Sequence, residues 1–184
     1  MTVRAVPDGD ERDKDVANAI RYAVDNGAKV INMSFGKPYS PFKAYVDSAV
    51  KYAESKGVLL VHAAGNDSKN TESYDNNYPN KRYDDCTYAT NWLEVGANSK
   101  SFGIALPATF SNTGKTSVDL FAPGVAIYST IPDSLYGNAQ GTSMASPVVA
   151  GASAVLLAYM PNLKPEQVIE SLMKSVNKSE VNAM

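Results

Sequence analysis

The chain has 184 residues, of which 44% are hydrophobic and 20% charged, as in ordinary globular domains and unlike disordered segments. Its 17 Lys and Arg residues against 19 Asp and Glu residues leave a net charge of −2, so no basic excess indicates a nucleic-acid partner. A single cysteine, Cys86, excludes an intrachain disulfide, and a single histidine, His62, excludes a zinc site built from histidine and cysteine.

Helical and strand-like segments alternate in the first third of the chain. Residues 12–26 carry apolar side chains at helical spacing and are followed by Gly27. An apolar run at 30–35 comes next, then a second helical pattern at 41–56 and an apolar run at 58–63. Because neither run alternates polar with apolar residues, and each follows a helix, we predict buried parallel strands joined by helical crossovers.

The rest of the chain is expected to complete an α/β domain. A polar stretch at 66–92 is long for a loop in a compact domain, and such loops usually have a function or are ordered by something else. Further strands are predicted at 93–97, 117–121 and 125–130, and helices at 142–159 and 165–176.

Both ends of the chain indicate a piece of something larger. Residues 2–6 have the pattern of an interior strand with nothing before it, and residues 178–184 end without a structural signal. We therefore expect residues 1–184 to be the C-terminal portion of a single larger domain. Residues 1–5 have no signal-peptide pattern, and the most apolar stretch, 144–160, is shorter than the ~20 residues that a membrane span needs.

The strongest chemical signal is residues 141–147 (Gly-Thr-Ser-Met-Ala-Ser-Pro), directly before an apolar helix. Ser143 there would lie among the free N–H groups of a helix start, where a hydroxyl can attack a carbonyl and the N–H groups stabilise the oxyanion. Considered alone, Thr142 or Ser143 is more simply a helix cap. A phosphate loop at 137–143 is disfavoured, because its lysine is absent and the glycine spacing is one residue short.

The complete heptapeptide resembles the active-serine motif of the subtilisin-like serine peptidases, the subtilase family. Three further segments resemble that family in the same order: 30–36 its substrate-binding strand, 63–66 its oxyanion-hole segment and 121–124 the strand end before the serine motif. The resemblance covers residues 2–176 and implies a three-layer α/β fold. That fold has a mainly parallel sheet with helices on both faces, here incomplete at the N-terminal side.

The resemblance also implies roles for individual residues. Ser143 would be the nucleophile that forms an acyl-enzyme, and Asn66 would donate its side-chain N–H to the oxyanion beside the backbone N–H of Ser143. An extended peptide substrate would pair, as an added strand, with Ser34, Phe35 and Gly36. The first specificity pocket would be lined by Ala63, Ala64 and Gly65, whose small size favours a bulky apolar residue at the cleaved position.

The family's catalytic Asp and His have no counterpart here, since neither an Asp-Ser/Thr-Gly nor a His-Gly-Thr-His segment occurs. His62 lies in an apolar strand, four residues before Asn66. We interpret it as a buried structural histidine, because a general base must approach the Ser143 hydroxyl to about 2.6–3.2 Å. The chain thus carries the nucleophile and oxyanion hole without the base, which the missing N-terminal part of the same domain would supply.

Two other sites are weaker hypotheses. A nucleophile–base pair of Cys86 and His62 is disfavoured because acidic residues beside Cys86 disfavour its thiolate. No cofactor is required, although the family commonly binds calcium as a structural ion. Suitable oxygens are present on Asp67, Asp75, Asn76, Asn77, Asp84 and Asp85. Their spacing matches no calcium loop, so a solvated loop is favoured and no metal ligand is assigned.

The function predicted for the parent protein is therefore a secreted or cell-surface serine endopeptidase, with this chain inactive alone. The alternative is a non-catalytic module of the same fold that captures extended peptides. Glycosylation sequons at 32–34 and 66–68 lie within the implied site, and a glycan on Asn66 would destroy the oxyanion hole. This favours a bacterial exported protein over a eukaryotic secreted one. The open edge of an incomplete sheet also predicts self-association.

Overall fold

In a computed structural model, the chain is described at residues 1–6, 9–73, 77–99 and 106–178. The helices are α1 (Asp13–Asp25), α2 (Lys43–Ser55), α3 (Thr142–Tyr159) and α4 (Pro165–Ser175). The strands are β1 (Val30–Met33), β2 (Leu59–Ala63), β3 (Trp92–Asn98), β4 (Leu120–Pro123), β5 (Ile127–Ile131) and β6 (Leu135–Ala139). All four predicted helices are confirmed, and β4 begins three residues later than predicted.

Strands β1 to β4 form one parallel sheet in that order. Met33 of β1 pairs with His62 of β2, and Ala63 of β2 pairs with Val95 of β3. Because the strands run in one direction, the segments that follow β1, β2 and β4 all leave the sheet at the same edge. In open parallel sheets, ligands bind at this carboxyl edge.

Helices cover both faces of the sheet. Leu60 and Trp92 belong to a core shared with α1 and α2, whereas Leu59 and Val61 belong to a second core shared with α3 and α4. Every residue of β2 is buried, which explains why this strand does not alternate polar with apolar residues. The three-layer α/β fold predicted from the sequence is confirmed.

Helix α3 lies against the four-stranded sheet and contacts each of its strands. By length and composition alone it would also qualify as a membrane-crossing helix. Its sheet-facing residues are buried, and they include the polar side chains of Ser146 and Ser153 beside Ala145 and Val149. We therefore assign α3 to the layer that covers one face of the sheet, with 28% of the helix buried.

One strand prediction is wrong, and one strand was not predicted. Residues 2–6 do not join the sheet, and an open groove of about 610 Å³ lies between this segment and β1. Residues 135–139 form the unpredicted strand β6, which overlaps the start of the disfavoured phosphate loop at 137–143 and pairs antiparallel with β5. The Tyr128 and Tyr136 rings stack across this hairpin with centroids 5.7 Å apart.

Strand β1 pairs with β2 on one side and faces the groove on the other. Its outward N–H and C=O groups are a template for pairing with another chain. We expect the 184-residue chain to self-associate through this edge, as measured by light scattering over a range of concentrations. The control Tyr128→Ser alters the exposed hairpin and should leave association unchanged. A strictly monomeric species at high concentration would contradict the prediction.

Candidate active site

Ser143 is the second residue of α3, directly after a turn at Gly141. The φ of Gly141 is 145°, a backbone conformation that favours glycine. The Gly141 N–H donates to the Gly124 carbonyl at 2.9 Å, which fastens the start of α3 to the end of β4. Gly141 itself occupies the N-cap position, so neither Thr142 nor Ser143 is a helix cap.

Pro147 explains how Ser143 is held. In a regular helix the N–H of residue 147 would donate to the carbonyl of residue 143, but proline has no N–H. The Ser143 carbonyl instead accepts a hydrogen bond from the Ser34 hydroxyl at 2.8 Å, and the Ser143 hydroxyl donates to the Ser34 carbonyl at 3.1 Å. This reciprocal pair joins the start of α3 to the segment that follows β1.

The carboxamide of Asn66 is oriented by Thr142. Its Oδ1 accepts from the Thr142 N–H at 2.9 Å and from the Thr142 hydroxyl at 3.2 Å. The buried Thr142 hydroxyl in turn accepts from the Gly65 N–H at 3.1 Å. Since Oδ1 is engaged, the Nδ2 end of the amide is the one presented to a ligand. Thr142 thus links Asn66 to Ser143, which is the next residue in the chain.

Asn112, which the sequence analysis did not identify, organises the loop that carries Asn66. It is fully buried, and its Nδ2 donates to the Ala64 carbonyl at 2.8 Å. Its Oδ1 accepts from the N–H groups of Asp67 and Lys69, each at 3.0 Å. All of these partners are distant in sequence and lie within the loop after β2. An asparagine in a polar stretch gives no local signal for such a role.

The predicted site residues other than Ala64 line one open cleft of about 470 Å³. They are Ser34, Phe35, Gly36, Ala63, Gly65, Asn66 and Ser143. Ala64 is buried behind the cleft, because its N–H donates to the Val95 carbonyl at 2.9 Å and its carbonyl accepts from Asn112. Ala64 is fully buried and does not line this cleft, whereas its neighbours Ala63 and Gly65 do, so its role in the specificity pocket stays a prediction.

The interpretation of His62 as a buried structural residue is confirmed. Its side chain is fully buried, with Nδ1 2.9 Å from Glu94 Oε1 and Nε2 2.8 Å from the Phe35 carbonyl oxygen. A carbonyl can only accept, so Nε2 carries a proton. Both ring nitrogens are therefore engaged in the core, while the Ser143 hydroxyl is bonded to Ser34. His62 does not serve as the base of this serine.

The disfavoured pair of Cys86 and His62 is not formed in the structure. Cys86 is exposed, and its sulfur lies 3.4 Å from Arg82 Nη2, so it forms no pair with the buried His62.

Within the described ranges, no group of three His, Cys, Asp or Glu side chains is arranged to hold a metal ion. Hydrogen bonds from Thr87 hold the pKa of Asp85 at about 2. Asp75 and Asn76 lie outside the described residues, and structural calcium stays a prediction.

A buried carboxylate supports the rim of the cleft. Asp13 Oδ1 lies 2.6 Å from Lys37 Nζ, and the Ser40 hydroxyl and Phe42 N–H also donate to this carboxylate. Burial alone would raise the pKa of Asp13, but these hydrogen bonds outweigh burial and hold the pKa below its ordinary value. Lys37 lines the cleft, so Asp13 fixes one charge there.

The stability that Asp13 contributes to the fold should be lost in acid. Because its pKa is lower in the folded than in the unfolded chain, its stabilisation is complete above the ordinary value of 3.8 and is lost as the pH falls through the folded-state pKa. We expect Asp13→Asn to lower the free energy of unfolding by about 1–3 kcal/mol at neutral pH. Urea unfolding of both proteins should show this gap shrinking in acid, and a gap independent of pH would contradict the prediction.

Comparison with solved structures gives the class of protein, which is a subtilisin-like α/β domain. The structure superposes on a cold-adapted subtilisin-like serine proteinase with a TM-score of 0.78 and 33% identity, over 94% of this chain and 59% of the other. On the prenylagaramide maturation protease PagA the TM-score is 0.75 at 28% identity, over 91% and 58% of the two chains. The model of the subtilase family matches residues 1–184, and this chain belongs to that family.

Curated relatives agree with this assignment. Subtilisin DY of Bacillus licheniformis is 38% identical over 153 residues, which are 83% of this chain and 51% of subtilisin DY. A thermophilic serine proteinase of Bacillus sp. (strain AK1) is 38% identical over 179 residues, which are 96% of this chain and 40% of the relative. The chain therefore spans about half, or less, of these relatives.

Proposed function

We propose that this chain carries the nucleophile and oxyanion hole of a subtilisin-like serine endopeptidase. The observation that carries the proposal is the anchoring through Thr142, which bonds to the carboxamide of Asn66 and immediately precedes Ser143. A hydroxyl and an amide donor are thus held as one unit at the wall of one cleft. Acyl transfer needs this combination of a positioned nucleophile and a fixed donor.

In the proposed reaction, Ser143 Oγ bonds to the scissile carbonyl carbon and its proton passes to a general base. The resulting oxyanion accepts hydrogen bonds from Asn66 Nδ2 and the Ser143 N–H. The intermediate then releases the amine, which takes that proton, and leaves an acyl group on Ser143. Water attacks this ester by the same route and frees the acid. Before attack, the Ser143 hydroxyl must leave the Ser34 carbonyl that it bonds at 3.1 Å.

The peptide substrate is proposed to lie along the segment after β1. The Gly36 N–H donates to Glu11 Oε1 at 3.1 Å, so this donor already holds an oxygen at the position where a peptide carbonyl would pair. Ser34 and Phe35 extend the same edge beside Ser143. Binding of an extended peptide here would displace the Glu11 carboxylate and place a backbone carbonyl within reach of Ser143.

The base is proposed to come from a further segment of the same domain that carries the family's Asp and His. Two observations support a docking place for it: β1 is an edge strand, and the groove of about 610 Å³ runs between β1 and residues 1–5. An added strand in this groove would pair with β1 and end near the carboxyl edge, where Ser143 lies. This segment would complete both the sheet and the catalytic centre.

A second function, peptide capture without cleavage, is favoured by one observation in this chain: its sole histidine is engaged in the core, away from Ser143. A fluorophosphonate probe applied to the full-length natural protein separates the two functions. An active serine forms a covalent adduct, which mass spectrometry should place on Ser143 and which Ser143→Ala should abolish. A folded protein that binds peptides but forms no adduct would support the capture function.

The site of action is proposed to be outside a bacterial cell, at the surface or in the medium. The support is the bacterial origin of the relatives, among them those of Bacillus licheniformis and Bacillus sp. (strain AK1). Fractionation of a producing culture tests this proposal, with the protein expected in the medium or on the cell wall. Recovery from the cytosol alone would overturn it.

A further inference from the structure

One peptide unit of the proposed peptide-binding segment joins the core to the cleft. The bond between Phe35 and Gly36 is trans, so the Phe35 carbonyl and the Gly36 N–H lie in one plane and point in opposite directions. The Phe35 carbonyl oxygen lies 2.8 Å from His62 Nε2 in the core. The Gly36 N–H donates at 3.1 Å to the carboxylate of Glu11, which lines the cleft. The direction of this carbonyl therefore decides whether the cleft offers a donor.

A glycine at position 36 makes it easy for this peptide unit to turn over. Such a flip changes ψ of Phe35 and φ of Gly36, and glycine adopts both signs of φ at little cost. A flipped unit would present its carbonyl oxygen to the cleft and bury its N–H in the core. The carbonyl of a bound peptide would then face another acceptor instead of a donor. The observed orientation consequently depends on a donor on the core side.

His62 is that donor, and its ring is packed in place. The side chain is fully buried, and Nδ1 lies 2.9 and 3.1 Å from the two carboxylate oxygens of Glu94. The Phe35 ring meets the imidazole edge-on with centroids 6.4 Å apart, and the Trp92 ring lies 5.2 Å away. With Nδ1 engaged and two rings against the imidazole, the Nε2–H group keeps its direction toward the Phe35 carbonyl.

Glu94 is in turn held by groups from three other segments. Trp92 Nε1 donates to Oε2 at 2.7 Å, and Asn77 Nδ2 donates to Oε1 at 3.3 Å. The Glu94 N–H donates at 2.7 Å to Asp119, whose carboxylate also lies 2.8 Å from Lys81 Nζ. In a low-dielectric core such a network rigidifies the groups that it links. The imidazole is therefore anchored to the sheet on the side away from the cleft.

We propose that His62 is a positioning residue that locks the peptide unit between Phe35 and Gly36, an inference that rests on the proposed function. By holding the carbonyl in the core, His62 aims the Gly36 N–H at the backbone of an extended peptide. It acts on peptide binding and not on the proton of the nucleophile. Glu94 is a second positioning residue, because it orients the imidazole.

Three variants of the full-length natural protein isolate the donor at position 62. All carry Glu94→Gln, so that removal of the imidazole leaves no unpaired buried carboxylate. Glu94→Gln alone retains His62, since the new amide can donate to Nδ1 while its oxygen accepts from Trp92. Adding His62→Gln retains an N–H donor at position 62. Adding His62→Leu instead retains apolar bulk but leaves no donor for the Phe35 carbonyl.

Calorimetric titration with the product-like peptide acetyl-Ala-Ala-Ala-Phe measures the effect. We expect the variant with His62→Leu to bind ~10-fold more weakly than the other two, because only it lacks the hydrogen bond that orients the peptide unit. Val61→Ala, the buried neighbour in β2 that packs in the other core, is the matched control. It should lose stability but bind the peptide normally. Equal binding by the leucine and glutamine variants, or no binding by the unmodified protein, would overturn the inference.

A second measurement requires no substitution. In the 184-residue protein labelled with ¹⁵N-histidine, His62 gives the only imidazole signals. A buried Nε2–H bonded to a carbonyl should appear as a resolved proton signal that exchanges slowly with solvent, as buried hydrogen-bonded protons do. An Nε2 without a proton, or one whose proton exchanges at once, would overturn the inference even if the leucine variant failed to fold.

Failure of this inference and failure of the proposed function give different results. A small fluorophosphonate reaches Ser143 without pairing with Gly36, so its labelling rate should be nearly the same in all three variants. Labelling of every variant together with equal peptide binding would leave the peptidase standing and remove the role of His62. Weak peptide binding confined to the leucine variant, with no labelling of any protein, would support the inference and remove catalysis.

Discussion

The isolated 184-residue chain is expected to hydrolyse peptides no faster than buffer. Ser143 is a neutral alcohol, and in the structure its proton is directed to the Ser34 carbonyl, which is not a base. In subtilisin itself, binding and the oxyanion hole alone leave only ~10³–10⁴-fold over water, and the triad supplies roughly a further 10⁶. Those values belong to that enzyme, and we carry them over to set the scale of the expected loss.

Peptide hydrolysis by the purified chain, followed by mass spectrometry, measures this loss. The controls are Ser143→Ala, which removes the nucleophile, and His62→Ala, which removes the sole imidazole. Addition of a separately produced N-terminal segment with the family's Asp and His should restore activity if it fills the groove beside β1. Turnover by the chain alone that both substitutions abolish would show that His62 acts as a base, contrary to its buried position.

Replacement of Asn66 by alanine should cost the proposed full-length peptidase ~10²–10³-fold in kcat, a figure that is known for subtilisin and carried over here. Asn66 Nδ2 is the proposed side-chain donor, since Thr142 holds Oδ1, and a donor to the oxyanion acts in the transition state more than in substrate binding. We therefore expect KM to change little. Steady-state kinetics on a peptide ester and a peptide amide measure both constants.

Thr142 variants provide the matched comparison for Asn66→Ala. Thr142→Val keeps the backbone bond to Asn66 Oδ1 but removes the hydroxyl that also bonds to Asn66 and Gly65. A loss of about tenfold in kcat is expected, since one of two orienting hydrogen bonds remains. Thr142→Ser keeps the hydroxyl and should therefore retain most of the kcat that Thr142→Val loses. A rise in KM as large as the fall in kcat would indicate that Asn66 binds substrate instead of the oxyanion.

The regular elements and the place of Ser143 at a helix start were accessible from the sequence because each has a local pattern. The helical spacing in 12–26 predicted α1, and the heptapeptide at 141–147 indicated a serine at a helix start. The supports of the site have no such pattern. Asn112 bonds a carbonyl 48 positions earlier in the chain, and Asn77 faces Gly36 only because backbone pairing to Lys37 brings its loop there.

For His62, the sequence predicted the burial of the side chain but not its hydrogen-bond partner. The apolar residues that flank His62 in its own strand predicted its burial, and the structure confirms this burial. Its partner Glu94 lies on the neighbouring strand β3, where the register of the sheet sets the two residues side by side. Register is a property of the assembled sheet, so a single sequence does not reveal which buried polar residues meet. The polar link from His62 to the cleft therefore emerged only from the structure.

The exchange of hydrogen bonds between Ser34 and Ser143 has a mechanical consequence. Because Pro147 has no N–H, the Ser143 carbonyl is bonded by the hydroxyl of Ser34, on the peptide-binding segment, and not by the next turn of α3. Ser143 is thereby tied through its carbonyl to the same segment on which the peptide is proposed to lie. The nucleophile and the peptide-binding edge therefore share one anchor, which remains when the Ser143 hydroxyl leaves the Ser34 carbonyl.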